Sequence, residues 1–266
     1  MVAGGSKQAP PPAPGVEVPH PFPERFEPTA FERRLRQLPE RRPFEIPRET
    51  VPARFRRSSV LILFWREAAE LHVLLTKRGD TLRGHPGQMC FPGGRLEPDE
   101  DWVAAALRES HEEVGLAPSG VEVLGRLDDA WSGAGHLLVP VVGWHAGRPA
   151  LTRNPAEVAA IHTPRVSGLL DPAAFAYEAR ELAGSLYVDP ILRWEGGEVI
   201  GLSSDLLIEA LAWGLGQRAS RGPDRARALV SYLSLGDDAR PRAHARTPAV
   251  TARGDEGPGV DGGNES

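Results

Sequence analysis

Gly94-Arg95-Leu96-Glu97-Pro98-Asp99-Glu100-Asp101-Trp102-Val103-Ala104-Ala105-Ala106-Leu107-Arg108-Glu109-Ser110-His111-Glu112-Glu113-Val114-Gly115-Leu116 decides how the rest of the chain is read. Val103, Leu107, Ser110 and Val114 recur at spacings of four, three and four, which predicts a helix from Asp101 to Val114 with these residues on its buried stripe. Three consecutive alanines favour that helix. Asp99, Glu100 and Asp101 place negative charge at its positive end, and Gly115 stands where a left-handed closing residue belongs. Glu109, Glu112 and Glu113 fall at i, i+3 and i+4, so their carboxylates are neighbours on a second face. Carboxylates this close repel one another, and a divalent cation with hard oxygen ligands would remove the conflict. Taken alone, three such glutamates are more often a solvated acidic face.

The segment leading into this stretch is of another kind. Leu74-Leu75-Thr76-Lys77-Arg78 ends an apolar run, and Arg78 to Gln88 follows with three glycines and one proline and no periodicity. This predicts a loop. Met89-Cys90-Phe91 reads as a brief strand that stops at Pro92-Gly93-Gly94. Arg78, Arg83 and His85 give the loop donors suited to phosphate oxygens. The competing reading pairs both arginines with the downstream carboxylates and packs His85 locally.

From Gly94 to Leu116 the chain resembles the Nudix box, with Glu100, Arg108, Glu109, Glu112, Glu113 and Gly115 at the required spacings. Ser110 departs from it, since an aliphatic residue is usual there. The resemblance implies a Nudix-type α/β/α sandwich with a mixed β-sheet, of the α+β kind. It also implies Mg²⁺ or Mn²⁺ as cofactor and hydrolysis of a nucleoside diphosphate derivative. By position, Glu109, Glu112, Glu113 and the carbonyl of Gly94 would be the metal ligands. Arg108 and Glu100 would orient them, and Glu109, Glu112 or a residue of a distant loop would take the proton from the attacking water. Leu74 to Gly94 is similar to the added signature of the coenzyme A diphosphatase branch, with Arg78, Arg83, Gly87 and Phe91 to Gly94 in place and Gly79 where serine or alanine is usual. That likeness implies coenzyme A or acyl-coenzyme A as substrate, with Arg78, Arg83 and His85 binding it. Another diphosphate substrate, or a binding module without catalysis, are the alternatives.

Outward from these motifs the pattern is mixed. Phe26 to Leu38 is expected to be a short amphipathic helix. Val60 to Trp65 and Leu71 to Thr76 should form a hairpin, and strands are expected at 121–127, 137–144, 158–162, 186–194 and 199–202. Ser203 is the expected N-cap of a last helix, Asp205 to Leu215. Asn154-Pro155-Ala156-Glu157-Val158 is similar to an element that follows the box in the same branch. The domain is expected over residues 26–216. Residues 1–25 and 217–266 are expected to be largely disordered tails, because Pro, Gly and charge there leave little to bury.

Composition is that of a soluble protein, with 41% hydrophobic and 25% charged residues. The net charge of −5 gives no reason to expect nucleic acid as a partner. Ten arginines between Arg25 and Arg57 against five glutamates predict a solvated helix face or an electropositive rim. Cys90 is the sole cysteine, so no intrachain disulfide can form, and packing is its expected role. No apolar run follows Met1, and none approaches the roughly 20 residues of a membrane span. A cytoplasmic protein that engages no membrane is expected, and a homodimer is left open.

Overall fold

The structure is a computed structural model that describes residues 22, 26–80, 86–182, 185–217 and 220–234. Its centre is strand β1 (Arg56–Glu67), which contains the apolar run seen in the sequence. Consecutive side chains of a strand point to opposite faces. Leu61, Leu63 and Trp65 accordingly enter one hydrophobic cluster, and Ile62 and Phe64 another. A strand covered on both faces has no polar alternation, which is why this run is apolar throughout.

Strand β2 (Glu70–Val73) returns antiparallel to β1 across a tight turn, and β3 (Leu75–Arg78) continues from it into a different sheet. Strands β4 (Met89–Cys90) and β5 (Gly93–Arg95) precede helix α2 (Trp102–Val114). Then come β6 (Val121–Arg126), β7 (Ala130–Ser132) and β8 (His136–His145). Strand β8 runs parallel to β1 through ten paired positions, from Arg56 with His136 to Trp65 with His145. The main sheet has the order β2-β1-β8-β6, with β5 on β1 and β7 on β8. A second sheet joins β4, β3 and β9 (Val158–His162). A third is the long hairpin of β10 (Phe175–Leu182) and β11 (Ser185–Trp194), extended by β12 (Gly197–Ile200).

Helix α2 covers one side of the sheets through Ala106 and Val114, against Leu61, Leu63, Leu74, Val141 and Val158. Helices α1 (Pro28–Leu35) and α4 (Gly201–Gly214) cover the other through Phe31, Leu35, Leu207 and Leu211. A short helix α3 (Val166–Leu169) bridges β9 and β10. The expected α/β/α sandwich with a mixed sheet is therefore present.

Several expectations need correction. Val103 is exposed, and the buried face of α2 is Ala105, Ala106, Ser110, Glu113 and Val114. The helix lies close to the sheet, and the small alanines are the residues that fit beneath it. Helix α4 starts at Gly201 with no side-chain cap, so Ser203 lies within its first turn. Strand β10 was not expected, because its apolar positions are interleaved with Glu178 and Arg180 and its pairing is with β11.

The tails also differ from expectation where they are described. Phe22 is buried and meets the Phe175 ring edge-on at 5.1 Å. The rest of 1–25 and all of 235–266 lie outside the described residues. Helix α5 (Gly222–Ser234) is folded inside the expected C-terminal tail. Its Leu229 is fully buried with Ile46, Phe55 and Leu137. The stripe Ala226, Leu229, Leu233 is short and is flanked by arginines, so it hardly registers as amphipathic.

Most of the described N-terminal arginines are exposed, as a solvated face requires, but Arg41 departs from that reading. Arg41 is buried between Asp128 and Glu209. Arg225 of α5 reaches Glu209 at 2.6 Å and Asp205 at 2.7 Å. Asp128 also accepts hydrogen bonds from Phe44 N–H at 2.8 Å, Ser220 Oγ at 2.6 Å, and the N–H groups of Arg221 and Gly222 at 2.9 Å each. Burial would raise its pKa, but the Ser220 hydroxyl, these N–H groups and Arg41 hold it below the usual carboxylate range. Arg48 and Arg57 both lie over the Trp102 ring, at 5.4 and 4.6 Å from its centroid.

Candidate active site

Helix α2 is fixed at both ends. The Asp101 carboxylate accepts from Ala104 N–H at 2.8 Å, and Gly115 closes the helix at φ 66°. Between these caps the glutamates project toward the β4–β5 connection. Two glycines make that approach possible. A Cβ on Gly93, at φ 152°, would overlap the β1 backbone at Ser59 and Val60, and one on Gly94 would overlap the Glu109 carboxylate. The first glycine lets β5 pair with β1, and the second leaves room for Glu109.

Glu113 is 5% exposed and accepts from Gly93 N–H at 3.1 Å. Burial pushes its carboxyl up to about 7, against the pull of Gly93 N–H and Arg78, with Glu109 and Glu157 adding repulsion. Glu109 is also raised, first by burial, although Arg108 at 3.1 Å opposes the rise. Arg108 is held from three directions. It grips Glu100 with Nε at 2.9 Å and Nη2 at 3.0 Å, and it donates to the Arg95 carbonyl at 2.9 Å. These bonds keep the guanidinium charged and pull Glu100 below the usual carboxylate range. Arg108 and Glu100 thus stand where a positioning pair is needed.

Glu112 departs from the expected cluster. It is half-exposed and, among the described residues, reaches only Arg108, at 3.4 Å. Among the described residues no three Asp, Glu, His or Cys side chains are gathered as a ready metal site. The structure brings together Glu109, Glu113 and the Gly93–Gly94 backbone, with Glu112 at the margin. The donor chemistry still suits a hard divalent cation, because two desolvated carboxylates repel each other while, among the described residues, Glu109 is opposed only by Arg108 and Glu113 by Arg78.

Arg78, at the end of β3, acts electrostatically on both Glu113 and the Cys90 thiol. It therefore borders the carboxylates, as both sequence readings of it allow. Arg83 and His85 lie outside the described residues. Cys90 is unoxidised, lies 3.3 Å from Thr76 Oγ1, and has its thiol pushed up by burial. That fits packing better than nucleophilic attack. Ser110 is buried and donates to the Ala106 carbonyl at 2.6 Å, so its hydroxyl is satisfied within the helix.

Glu157 was not singled out from the sequence. Its loop is tied to the end of α2 by Thr152 N–H to the Val114 carbonyl and Asn154 N–H to the Glu113 carbonyl, each at 2.8 Å. Gly79 N–H donates to the Glu157 carbonyl at 2.8 Å, and the Glu157 charge is felt at both Glu109 and Glu113. The only sequence signal was the Asn154–Val158 element, which carried no assigned role.

Residues 55–181 match the family described as NUDIX domain. Among similar proteins, one from Photorhabdus laumondii named "Uncharacterized Nudix hydrolase NudL" is 43% identical over 106 residues, 40% of this chain and 57% of that protein. "Nudix hydrolase 22, chloroplastic" from Arabidopsis thaliana is 46% identical over 118 residues, 41% of this chain and 38% of its own. The chain spans about half the length of the curated relatives it matches. A solved MutT/nudix family protein from Enterococcus faecalis aligns over 71% of this chain and 86% of its own, at 16% identity and a TM-score of 0.40. No helix among the described residues is long and apolar enough to cross a membrane.

Proposed function

We propose that the chain hydrolyses the diphosphate linkage of coenzyme A and its thioesters, giving 3′,5′-ADP and 4′-phosphopantetheine or its acyl form. The observation that carries this reading is a pair of desolvated carboxylates, half-buried Glu109 and buried Glu113, packed on Gly93–Gly94 with Arg78 beside Glu113. Glu109, Glu113 and the Gly94 carbonyl would hold Mg²⁺ or Mn²⁺, with Glu112 and Glu157 at the edge of the set. When bound, the ion supplies charge neutralisation of the diphosphate and a more acidic water. Arg108 fixes the Glu109 carboxylate, and Glu100 fixes Arg108. Arg78 offers positive charge to a phosphate oxygen on the same side as Glu113. Glu112, held only by Arg108, is the carboxylate with most freedom to accept the water proton.

The choice of coenzyme A over other nucleoside diphosphate derivatives rests on the signature from Leu74 to Gly94. Its test is hydrolysis of coenzyme A beside ADP-ribose and diadenosine substrates, with Mg²⁺ and with Mn²⁺. Release of 3′,5′-ADP at a far higher kcat/KM than any competing reaction is expected. A faster cut of ADP-ribose keeps the hydrolase and removes the coenzyme A assignment. No cleavage with either metal leaves a binding module.

A further inference from the structure

Strand alternation divides β3 between two surfaces. Thr76 and Arg78 belong to the face that carries Cys90 and looks toward Glu113. Lys77 is paired with Met89 and Ala160, and Leu75 with His162, so these residues share the opposite face. The turn between β11 and β12 lies against that face. Trp194 meets the His162 ring edge-on, with centroids 6.0 Å apart. A Cβ on Gly196 would lie 3.3 Å from His162 Nδ1, and one on Gly197 would lie 2.9 Å from the Met89 methyl. The two glycines therefore permit a close approach of turn to sheet.

Two polar groups here are unused. His162 Nε2 is buried and has no hydrogen-bond partner. An unmet buried nitrogen carries a desolvation cost that packing does not return. Burial, and then the charge of Lys77, push this imidazole down from its ordinary value, so at neutral pH it is an uncharged ring able to make one directed hydrogen bond. Lys77 itself has no ion-pair partner among the described residues. A half-buried indole, an uncharged imidazole and an unpaired ammonium side by side suit an aromatic ligand that carries phosphate.

This face is close to the carboxylates by way of one strand. Strand β4 is two residues long and forms the outer edge of its sheet, with Met89 on the His162 side and Cys90 on the Glu113 side. A substrate whose diphosphate lies at Glu109 and Glu113 can cross that edge and rest its far end on the other face. We infer that Lys77, His162 and Trp194 form the wall that recognises the nucleoside end of the substrate. Trp194 supplies the apolar surface against the base, His162 Nε2 bonds a ring heteroatom, and Lys77 faces the phosphate nearest the nucleoside. The inference rests on the reading that the substrate is a nucleoside diphosphate derivative. A pantetheine arm, being flexible and uncharged, would use neither the indole nor the ammonium.

The test separates binding from chemistry. Full-length protein in chelator is titrated with 3′,5′-ADP and, separately, with 4′-phosphopantetheine, while tryptophan fluorescence is followed. Steady-state kinetics are then measured for Lys77→Met, His162→Phe and Trp194→Phe, each checked for an unchanged melting profile. The nucleotide is expected to quench the wild type, and Trp194→Phe should lose most of that change. Lys77→Met and His162→Phe should raise KM about ten-fold, the scale of one lost base or phosphate contact, with kcat within about two-fold. Quenching of Trp194→Phe as strong as in the wild type, quenching by phosphopantetheine instead, or an unchanged KM in both other variants would overturn the assignment. Glu113→Gln serves as the control, and it should bind the nucleotide and cut nothing. If the wild type itself cleaves no diphosphate, the hydrolase reading fails, while the titration still decides the wall.

Discussion

Glu113→Gln tests the active site through stability as well as through rate. In metal-free protein, burial raises this carboxyl from 4.5 to about 7. A group whose folded pKa is raised binds its proton more tightly in the folded state. The resulting stability is fully present below the unfolded value, near 4.5, and is lost as pH rises through about 7. At about 1.4 kcal/mol for each pH unit, the loss by pH 8 is about 3 kcal/mol. Glutamine keeps the side-chain volume and an acceptor for Gly93 N–H, but it cannot ionise. Urea unfolding in chelator should therefore find wild type and variant similar at pH 5. At pH 8 the variant should be the more stable by up to about 3 kcal/mol. Added Mn²⁺ should stabilise the wild type and leave the variant nearly unmoved, and hydrolysis by the variant should fall by about two orders of magnitude or more. A variant no more stable than wild type at pH 8 would refute the strained buried anion. Equal stabilisation of both proteins by Mn²⁺ would take Glu113 out of the ligand set.

Three other substitutions probe separate parts of the molecule. Gly94→Ala places a methyl in the space of the Glu109 carboxylate, so kcat should fall about 100-fold or more with the fold retained by circular dichroism. Arg108→Lys gives up the two-pronged grip on Glu100; kcat should drop about ten-fold, with KM little changed, in steady-state assays. Asp128→Asn removes one of the two carboxylates that hold buried Arg41, leaving Glu209, and chemical denaturation should register a loss of about 3 kcal/mol or more.

What could be read in advance was whatever the chain encodes over short distances. Helix α2, its Gly115 cap, and the neighbourhood of Glu109 and Glu113 follow from spacing within one turn or two. So does β1, whose unbroken apolar run declares burial on both faces. Glu112 shows the limit of that reasoning. Helical spacing brings it near Glu109, but the pull of Arg108 and the direction of the β4–β5 connection leave it at the margin. Glu157 was illegible for a different reason, since it reaches the site only through backbone bonds from its loop to Val114, Glu113 and Gly79. Arg41 looked like part of a charged surface because its partners, Asp128 and Glu209, lie far along the chain. Lys77 and His162 carry no local signature, and the pairing of β3 with β9 is what sets them on one face.

The network around Asp128 has a consequence for the order in which the protein is made. Arg41 and Asp128 leave the ribosome well before Glu209 and Arg225. Sheets β1–β9 and helix α2 can be assembled by then, but the Arg41–Asp128 pair would still lack Glu209 and the Ser220–Gly222 donors that enclose it. Water has to stay around that pair until α4 and α5 arrive. A nascent chain without α4 and α5 would therefore leave the Arg41–Asp128 pair open to water even with helix α2 already formed. Closure waits for α5, and a chain interrupted before Arg225 would leave Glu209 without that guanidinium.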